Sequence, residues 1–143
     1  MKWNREEIER ILPHRAPMLL VTTVEELEPG KQVRGTYWVD PQQAIFQGHF
    51  PDDPVFPGVY TVECMAQATD IVLLSTRRYA GKTPLFLGID RVSFQRKILP
   101  GDTIELRAEV VSERPDKAIA TCAAEACIHG EVAARGLITI AMR

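Results

Sequence analysis

His49 and Glu63 are the two side chains in this sequence whose types and spacing best suit acid-base chemistry. His49 lies in the stretch from Gly48 to Gly58, where seven of eleven residues are Gly, Pro or Asp. The prolines fix φ along this loop, so it can hold an imidazole still. Glu63 follows in an apolar segment, where loss of hydration raises the pKa of a carboxyl group toward the range in which it exchanges protons. The pair therefore predicts general acid-base catalysis.

The segment that carries Glu63, from Gly58 to about Tyr79, predicts one long helix. The Pro57-Gly58 pair suits a helix start, and the first turns are apolar on nearly all sides, which is typical of a buried helix. The N–H groups around Gly58 would lack intrahelical partners and form an oxyanion hole. Gln67 lies four residues beyond Glu63 on the same face, so its amide is expected to orient the carboxyl group.

Length and composition predict one ordinary domain that spans residues 1–143. Hydrophobic residues make up 45% of the chain, enough for a core. No apolar run reaches the roughly 18 residues of a membrane span, so no membrane insertion is expected. Glutamates occupy the N-terminus where a signal peptide would be apolar, which favours a cytoplasmic protein. The chain is acidic overall, with a net charge of −2, and has no basic-aromatic platform, which argues against nucleic acid as a partner.

The three cysteines, Cys64, Cys122 and Cys127, lie in apolar stretches without the spacing of a metal site. We expect buried free thiols and no metal.

The rest of the chain predicts a short first helix and six strands. The helix spans Asn4 to Ile11 with Asn4 as N-cap. The strands are expected at Met18–Glu28, Lys31–Asp40, Leu85–Gln95, Thr103–Glu113, Ala118–His129 and Val132–Met142, with turns at Pro29-Gly30 and Gly130-Glu131. His129, at the last turn, is expected to be solvated. Without βαβ alternation, this pattern indicates an α+β protein with an antiparallel sheet.

Four pieces around the two candidate residues resemble a known active-site signature. They are Gly48-His49-Phe50-Pro51, the PxxPG run Pro54 to Gly58, Glu63 and Ala66-Gln67. Together they resemble the signature of the β-hydroxyacyl-(acyl carrier protein) dehydratases of type II fatty acid synthesis. The resemblance implies a hotdog fold, in which a six-stranded antiparallel sheet wraps around one long central helix. It points to the dehydratase-only branch of that family.

The resemblance also implies roles for individual residues. His49 would be the base at C2, Glu63, with or without a bound water, would protonate the C3 hydroxyl, and the Gly58 amide would polarise the thioester carbonyl. The substrate-binding residues would be Phe50, Pro57, Val59, Gln67 and Phe94. The product would be a trans-2-enoyl chain on acyl carrier protein, formed without a metal or redox cofactor. In this family His and Glu come from different subunits, so a homodimer is the expected minimum active unit, and a hexamer of three dimers is a further expectation.

A cluster of basic residues marks an expected docking surface. From Arg77 to Lys97 there are six basic residues and one acidic residue, a pattern that is also typical of a solvated face. With the resemblance, the cluster is interpreted as the site for acidic acyl carrier protein, and Arg91, Arg96 and Lys97 are its expected contacts.

The flanking segment from Ile11 to Val21 resembles the family's ILPHRxPxLLV sequence, although Thr22-Thr23 replaces the usual Asp-Arg pair. His14 in this segment is assigned a structural or surface role rather than a catalytic one.

Several helix and loop residues depart from the family pattern. Asp70 stands where a small residue is usual, and a second buried carboxylate would raise the pKa of Glu63 further. Tyr60, Thr61 and Phe56 also differ and leave the acyl chain length open.

Three alternatives remain open on the sequence. A sister dehydratase that also isomerises the double bond carries Asp at the helix position, so Glu63 favours the dehydratase-only branch. A hotdog thioesterase would lack the GHFP loop. A non-catalytic acyl-carrier-binding subunit would keep the fold and the basic face, but retention of both His49 and Glu63 argues against it.

Overall fold

The computed structural model describes residues 2–143; Met1, the first residue of the expected 1–143 domain, lies outside the described residues. The helices are α1 (Arg5–Ile11), α2 (Ile45–Gly48) and α3 (Gly58–Leu74), and a 3-10 turn covers Pro115–Lys117. The strands are β1 (Thr23–Glu28), β2 (Gln32–Trp38), β3 (Pro84–Phe94), β4 (Thr103–Arg114), β5 (Ile119–Ile128) and β6 (Glu131–Met142). The predicted six strands and long helix are therefore confirmed.

The six strands form one antiparallel sheet in the order β1-β2-β4-β5-β6-β3. Each pairing joins strands that are close in sequence except β2 with β4 and β3 with β6. The inner face packs on α3, which contacts β2, β3, β4, β5 and β6. Because β1 and β3 lie at the two edges of the sheet, their outer hydrogen-bonding rows are unpaired within residues 2–143, apart from a bridge between Trp3 and Val24 of β1.

Helix α3 is the centre of the core. Residues 64–74 are all buried, including the polar side chains of Gln67, Thr69 and Asp70. A helix that is apolar nearly all round is stable only when other elements cover it, and here the sheet does so. Within residues 2–143, no helix combines the length and hydropathy that a bilayer span requires.

The predicted end of α3 was wrong, because the helix stops at Leu74 and not near Tyr79. The Ser75 hydroxyl donates to Val72 O at 3.1 Å, and the Thr76 hydroxyl donates to Leu73 O at 2.7 Å. Together with the N–H groups of Gly30 and Thr76, these hydroxyls satisfy the carbonyl groups of Val72 and Leu73 in the last turn, so the backbone can leave the helical path there.

The first strand was also predicted too long, because β1 begins at Thr23 and not at Met18. Gln67 donates to Met18 O and accepts from Leu20 N, both at 2.8 Å. The Arg5 guanidinium donates to Leu19 O at 2.7 Å. Side chains thus replace the sheet as partners of this segment, which ties it to α3.

Two local predictions at chain turns can be compared with the structure. Asn4 caps α1 as predicted, in a capping box with Glu7. The last hairpin turn was misplaced by one residue: it is formed by His129 and Gly130, whose φ values of 49° and 78° suit a two-residue hairpin, and Glu131 begins β6. His129 is exposed, as expected.

The three cysteines are free and buried, as predicted. Burial raises the pKa of the Cys122 thiol to about 12, so its thiolate, the reactive form, is scarce at neutral pH.

Candidate active site

Glu63 projects from the second turn of α3, and Gln67 holds one of its oxygens. Gln67 Nε2 donates to Glu63 Oε2 at 2.7 Å, as the spacing of four residues predicts. The same amide bonds Met18 O and Leu20 N, so its polar atoms are all paired. The carboxyl group is therefore fixed through Gln67 to the segment before β1, which leaves Glu63 Oε1 for other partners.

The environment of Glu63 favours its protonated form. Its side chain is 18% exposed. Burial raises the pKa of Glu63, while the hydrogen bond from Gln67 acts in the opposite direction and is the smaller effect. A carboxyl group in this state can hold a proton closer to neutral pH than an exposed glutamate can.

His49 is held by the Pro-rich loop between α2 and α3. Its Nδ1 lies 2.8 Å from Val55 O, and its own carbonyl accepts from Val55 N at 3.0 Å. Because a carbonyl oxygen only accepts hydrogen bonds, Nδ1 carries a hydrogen, and in the neutral ring the lone pair is on Nε2. The ring stacks on Phe50 with the centroids 4.1 Å apart. The loop thus positions His49 Nε2 as a base.

One chain does not bring the two candidate catalytic side chains into contact. Among residues 2–143, no ion pair within 4.0 Å joins His49 to Glu63, and the histidine within that distance of Glu63 is His14. His49 belongs to the loop before α3, whereas the Glu63 carboxyl group is tied to the segment before β1.

The start of α3 lies against β3. Pro57 is the N-cap residue, and its carbonyl accepts from Tyr60 N and Thr61 N at 2.9 and 3.2 Å. The first N–H groups of a helix, including that of Gly58, lack intrahelical acceptors. A Cβ on Gly58 would lie 3.0 Å from Cε1 of Phe94. Only a glycine therefore lets the Phe94 ring lie this close to the helix start.

A groove of about 410 Å³ opens beside this contact. Its lining residues come from the loop before α3, the start of α3, the end of β3 with the residues after it, and β6: Val55, Phe56, Gly58, Thr61, Phe94, Gln95, Arg96, Lys97, Ile98 and Ala133. The groove is apolar at Phe56 and Phe94 and basic at Arg96 and Lys97. Such a groove suits an apolar chain that ends in an anionic group.

The other residues expected to bind substrate lie in different surroundings. Phe50 and Val59 are 51% and 73% exposed, so both are accessible from outside the chain. Pro57 is buried at the helix start, and Gln67 is fully buried. Gln67 contacts Glu63 directly. Contact between Gln67 and the substrate stays a prediction.

The structure separates the expected docking residues. Arg96 and Lys97 lie at the groove, where Arg96 also pairs with Glu131 at 3.2 Å. Arg91 instead lines a depression on the sheet together with Arg34 and Arg107. The pairing of β3 with β6 shifts between Asp90 and Ser93, and Arg91 has φ of 53°. This bulge turns Arg91 away from the groove.

Comparison with known proteins places the chain in a family. Residues 12–136 match the family model described as the FabA-like domain. The chain belongs to the FabA-like family. A 3-hydroxyacyl-[acyl-carrier-protein] dehydratase FabZ of Clostridium perfringens is 46% identical over 139 residues, which are 97% of this chain and 98% of the relative. The enzyme of the same name from Caldicellulosiruptor bescii is 40% identical over 141 residues, 99% of each chain. These relatives confirm the predicted family and the prediction of a dehydratase.

Solved structures confirm the predicted hotdog fold of this FabA-like chain. The dehydratase heterocomplex ApeI:P from Xenorhabdus doucetiae has a TM-score of 0.79 at 21% identity, covering 95% of this chain and 90% of that chain. A hypothetical thioesterase with coenzyme A from Streptococcus pneumoniae has a TM-score of 0.62 at 13% identity, with 84% of each chain covered. At these identities the likeness shows the fold alone.

Sequence reasoning named Asp70 as a carboxylate near Glu63 but missed His14 as a neighbour of Glu63 in this FabA-like site. His14 Nε2 lies 3.9 Å from Glu63 Oε2 and 3.8 Å from Asp70 Oδ2. The spacing of Glu63, Gln67 and Asp70 places all three on one face of a helix and gave a signal for Asp70. The position of His14 depends on the path of the irregular segment before β1, which leaves no periodic signal in the sequence.

Proposed function

We propose that this dehydratase removes water from (3R)-3-hydroxyacyl chains on acyl carrier protein and releases trans-2-enoyl chains, in fatty acid or related acyl chain biosynthesis. The observation that carries the proposal is the near-full-length similarity to dehydratases named for this substrate. The geometry of His49, Glu63 and Gly58 supports it, because the reaction needs a base, an acid and a donor to the thioester carbonyl.

His49 is the proposed base. Its Nδ1–H is engaged with Val55 O, so Nε2 can take the proton from C2 of the substrate. The electron pair of the C2–H bond then forms the second bond between C2 and C3, and the C3–O bond breaks. The product is an enoyl thioester, and His49 carries the abstracted proton.

Glu63 is the proposed acid for the departing hydroxyl group. Gln67 holds Oε2, so Oε1 is free to face the C3 hydroxyl. Burial raises the pKa of Glu63, which keeps a proton available for the leaving oxygen and yields water. Glu63 ends the step ionised; it then takes up a proton from solvent while His49 releases one to solvent, which returns both groups to their starting states.

The start of α3 is the proposed donor to the thioester carbonyl. Charge develops on that oxygen as the C2 proton leaves, and an unpaired helix N–H group stabilises it. The contact between Gly58 and Phe94 places this end of the helix beside the groove. The apolar side chains of the groove are proposed to hold the acyl chain, together with Phe50, Pro57 and Val59.

Acidic acyl carrier protein is the proposed partner, and Arg96 and Lys97 are its proposed contacts at the groove. Opposed charges would speed encounter and orient the carrier. Arg91 lies away from this groove, so its contact with the carrier would require a wider docking surface. A cytoplasmic location is part of the same proposal.

A homodimer is the proposed active unit, joined along the free edge of β3. This strand exposes apolar side chains, and a long apolar edge is a site for pairing with another strand. The exposed residues are Leu85, Phe86, Leu87, Ile89 and Phe94, each more than 40% accessible. A second copy would cover them and could bring His49 of one protomer to Glu63 of the other, which a single chain does not do.

The test is a product assay on acyl carrier protein loaded with 3-hydroxybutyryl and 3-hydroxydecanoyl chains, followed by mass spectrometry. We expect loss of one water, a trans-2 product, and no loss in His49→Ala or Glu63→Gln. A cis-3 product would favour the isomerising branch, and free hydroxy acid would favour a thioesterase. Binding of the carrier without turnover at either chain length would contradict the proposal and favour a non-catalytic subunit.

A further inference from the structure

Three titratable side chains meet behind Glu63. His14 comes from the segment after α1, and its Nε2 lies 3.9 Å from Glu63 Oε2 and 3.8 Å from Asp70 Oδ2. Glu63 and Asp70 are seven residues apart on α3, which puts them on one face about two turns from each other. Both distances to His14 exceed a direct hydrogen bond, but they are short enough for strong electrostatic coupling.

Asp70 is buried without the partners that such a group normally has. Its side chain is 4% exposed, and within residues 2–143 its Oδ1 has no hydrogen-bond partner. The same is true of His14 Nδ1. Gln67 on the same face differs, because all its polar atoms are paired. A buried carboxyl group that remains unpaired costs stability, so its presence beside Glu63 calls for a role other than packing.

The environment favours the uncharged forms of all three groups. Burial, and then the charge of Glu63, raise the pKa of Asp70 well above its usual value. Burial, and then Arg15, lower the pKa of His14. From β5, the Cys122 thiol faces Asp70, and its own pKa is raised, so it brings no charge near neutral pH. The charge that can change in this cluster therefore lies on the two carboxyl groups.

We propose that Asp70 is a positioning residue that, grouped with Glu63 around His14, keeps Glu63 supplied with a proton over a wider pH range. Two carboxyl groups this close do not ionise independently, because the second charge forms next to the first. One proton is therefore retained by the pair at a pH where a lone Glu63 would have lost it, and His14 Nε2, which lies within 4 Å of both carboxyl groups, links Asp70 to Glu63 as the path for that proton. The inference rests on the proposed function, since it assumes that Glu63 donates a proton to the leaving hydroxyl group.

The test is the pH dependence of kcat/KM for Asp70→Asn, which keeps the shape of the side chain and removes its charge. Above the optimum, activity falls as the acid is lost. We expect this alkaline limb to move by about one pH unit toward lower pH in the variant. Asp116→Asn is the matched control, because Asp116 is exposed on the 3-10 turn and its limb should stay in place. Asp70→Ala, which places a small helix-forming residue there, should give the same shift and serves if Asp70→Asn folds poorly.

A second readout does not depend on turnover. The infrared carboxyl signal that Glu63→Gln removes should titrate at lower pH in Asp70→Asn than in the unchanged protein. This inference alone would be overturned if, in Asp70→Asn, neither the alkaline limb of kcat/KM nor the titration of Glu63 moved and any loss of rate were the same at every pH. Full activity in Glu63→Gln would overturn the acid role of Glu63 itself, and with it both proposals.

Discussion

Gln67 donates a hydrogen bond to Glu63 across one turn of α3, with 2.7 Å between Nε2 and Oε2. The same side chain bonds the backbone of Met18 and Leu20, so one buried amide joins the candidate acid to the segment before β1. If the Gln67 amide is removed, the Glu63 carboxyl group, Met18 C=O and Leu20 N–H each lose this hydrogen-bond partner. The orientation of Glu63 therefore depends on a residue that has no acid-base chemistry of its own.

Gln67→Met tests this dependence with a side chain of similar size. We expect the free energy of unfolding to fall by about 1–3 kcal/mol, because Leu20 N–H and Met18 C=O lose their buried partner. We also expect kcat to fall by at least about tenfold, since the carboxyl group loses its fixed orientation. Urea unfolding and the water-loss assay measure the two effects, with the exposed Gln42→Met as the control. An unchanged kcat would show that Glu63 is oriented by other groups.

Gly58→Ala tests the close contact at the start of α3. The new Cβ would lie 3.0 Å from the Phe94 ring and force the ring to move beside the groove. We expect kcat/KM to fall by about tenfold while stability is kept, because alanine is a better helix former than glycine. Gly58→Ala combined with Phe94→Leu should recover part of the activity, because leucine lacks the ring atoms that clash. If Gly58→Ala alone is fully active, the groove at Phe94 is not where the substrate binds.

The stability of the protein should depend on the charge of Asp70. The pKa of this group is raised in the folded state, so the unfolded state loses the proton first, at about its ordinary value near 4. Stability is therefore lost as pH rises from that value toward the folded pKa, by up to about 1.4 kcal/mol per pH unit. Asp70→Asn should gain stability relative to the unchanged protein as pH rises from 4.5 to 8, in urea unfolding at fixed protein concentration. A constant difference across this range would mean that Asp70 is charged in the folded protein as readily as in the unfolded chain.

Leu87→Lys tests the proposed dimer edge on β3. Leu87 is 56% exposed on this strand, and a lysine there would place a charge where the second copy is expected to pack. Sedimentation should show a shift to monomer, together with loss of water-loss activity. Val111→Lys changes a residue of β4 that is 53% exposed and should leave both properties in place. Monomeric but fully active Leu87→Lys would contradict the requirement for a dimer.

Much of the fold and part of the site follow from local sequence patterns. The i, i+4 spacing predicts the bond between Glu63 and Gln67, alternation of apolar residues predicts β4, and the turn near Gly130 predicts the pairing of β5 with β6. The end of α3 could not be predicted in this way, because it depends on whether Ser75 and Thr76 turn their hydroxyls back to the helix carbonyls. Local periodicity does not predict whether these two hydroxyls bond the helix carbonyls or solvent.

Tertiary structure decides the remaining site features. His14 reaches Glu63 because Gln67 and Arg5 hold the segment that would otherwise extend β1. Arg91 leaves the basic groove because of a bulge in β3, which shifts the face on which a side chain projects. The positions of His14 and Arg91 both depend on contacts between residues far apart in sequence. A count of charges from Arg77 to Lys97 carries no information about such contacts.

The most direct test of the central claim is subunit mixing. His49→Ala and Glu63→Gln are each prepared, unfolded, mixed in equal amounts and refolded together, and water loss from 3-hydroxyacyl carrier protein is measured. If His49 of one protomer works with Glu63 of its partner, each mixed dimer contains one intact site, and random mixing should restore about a quarter of the original activity. Refolded single variants should remain inactive. No recovery in the mixture, with mixed dimers present by mass, would contradict a site shared between protomers.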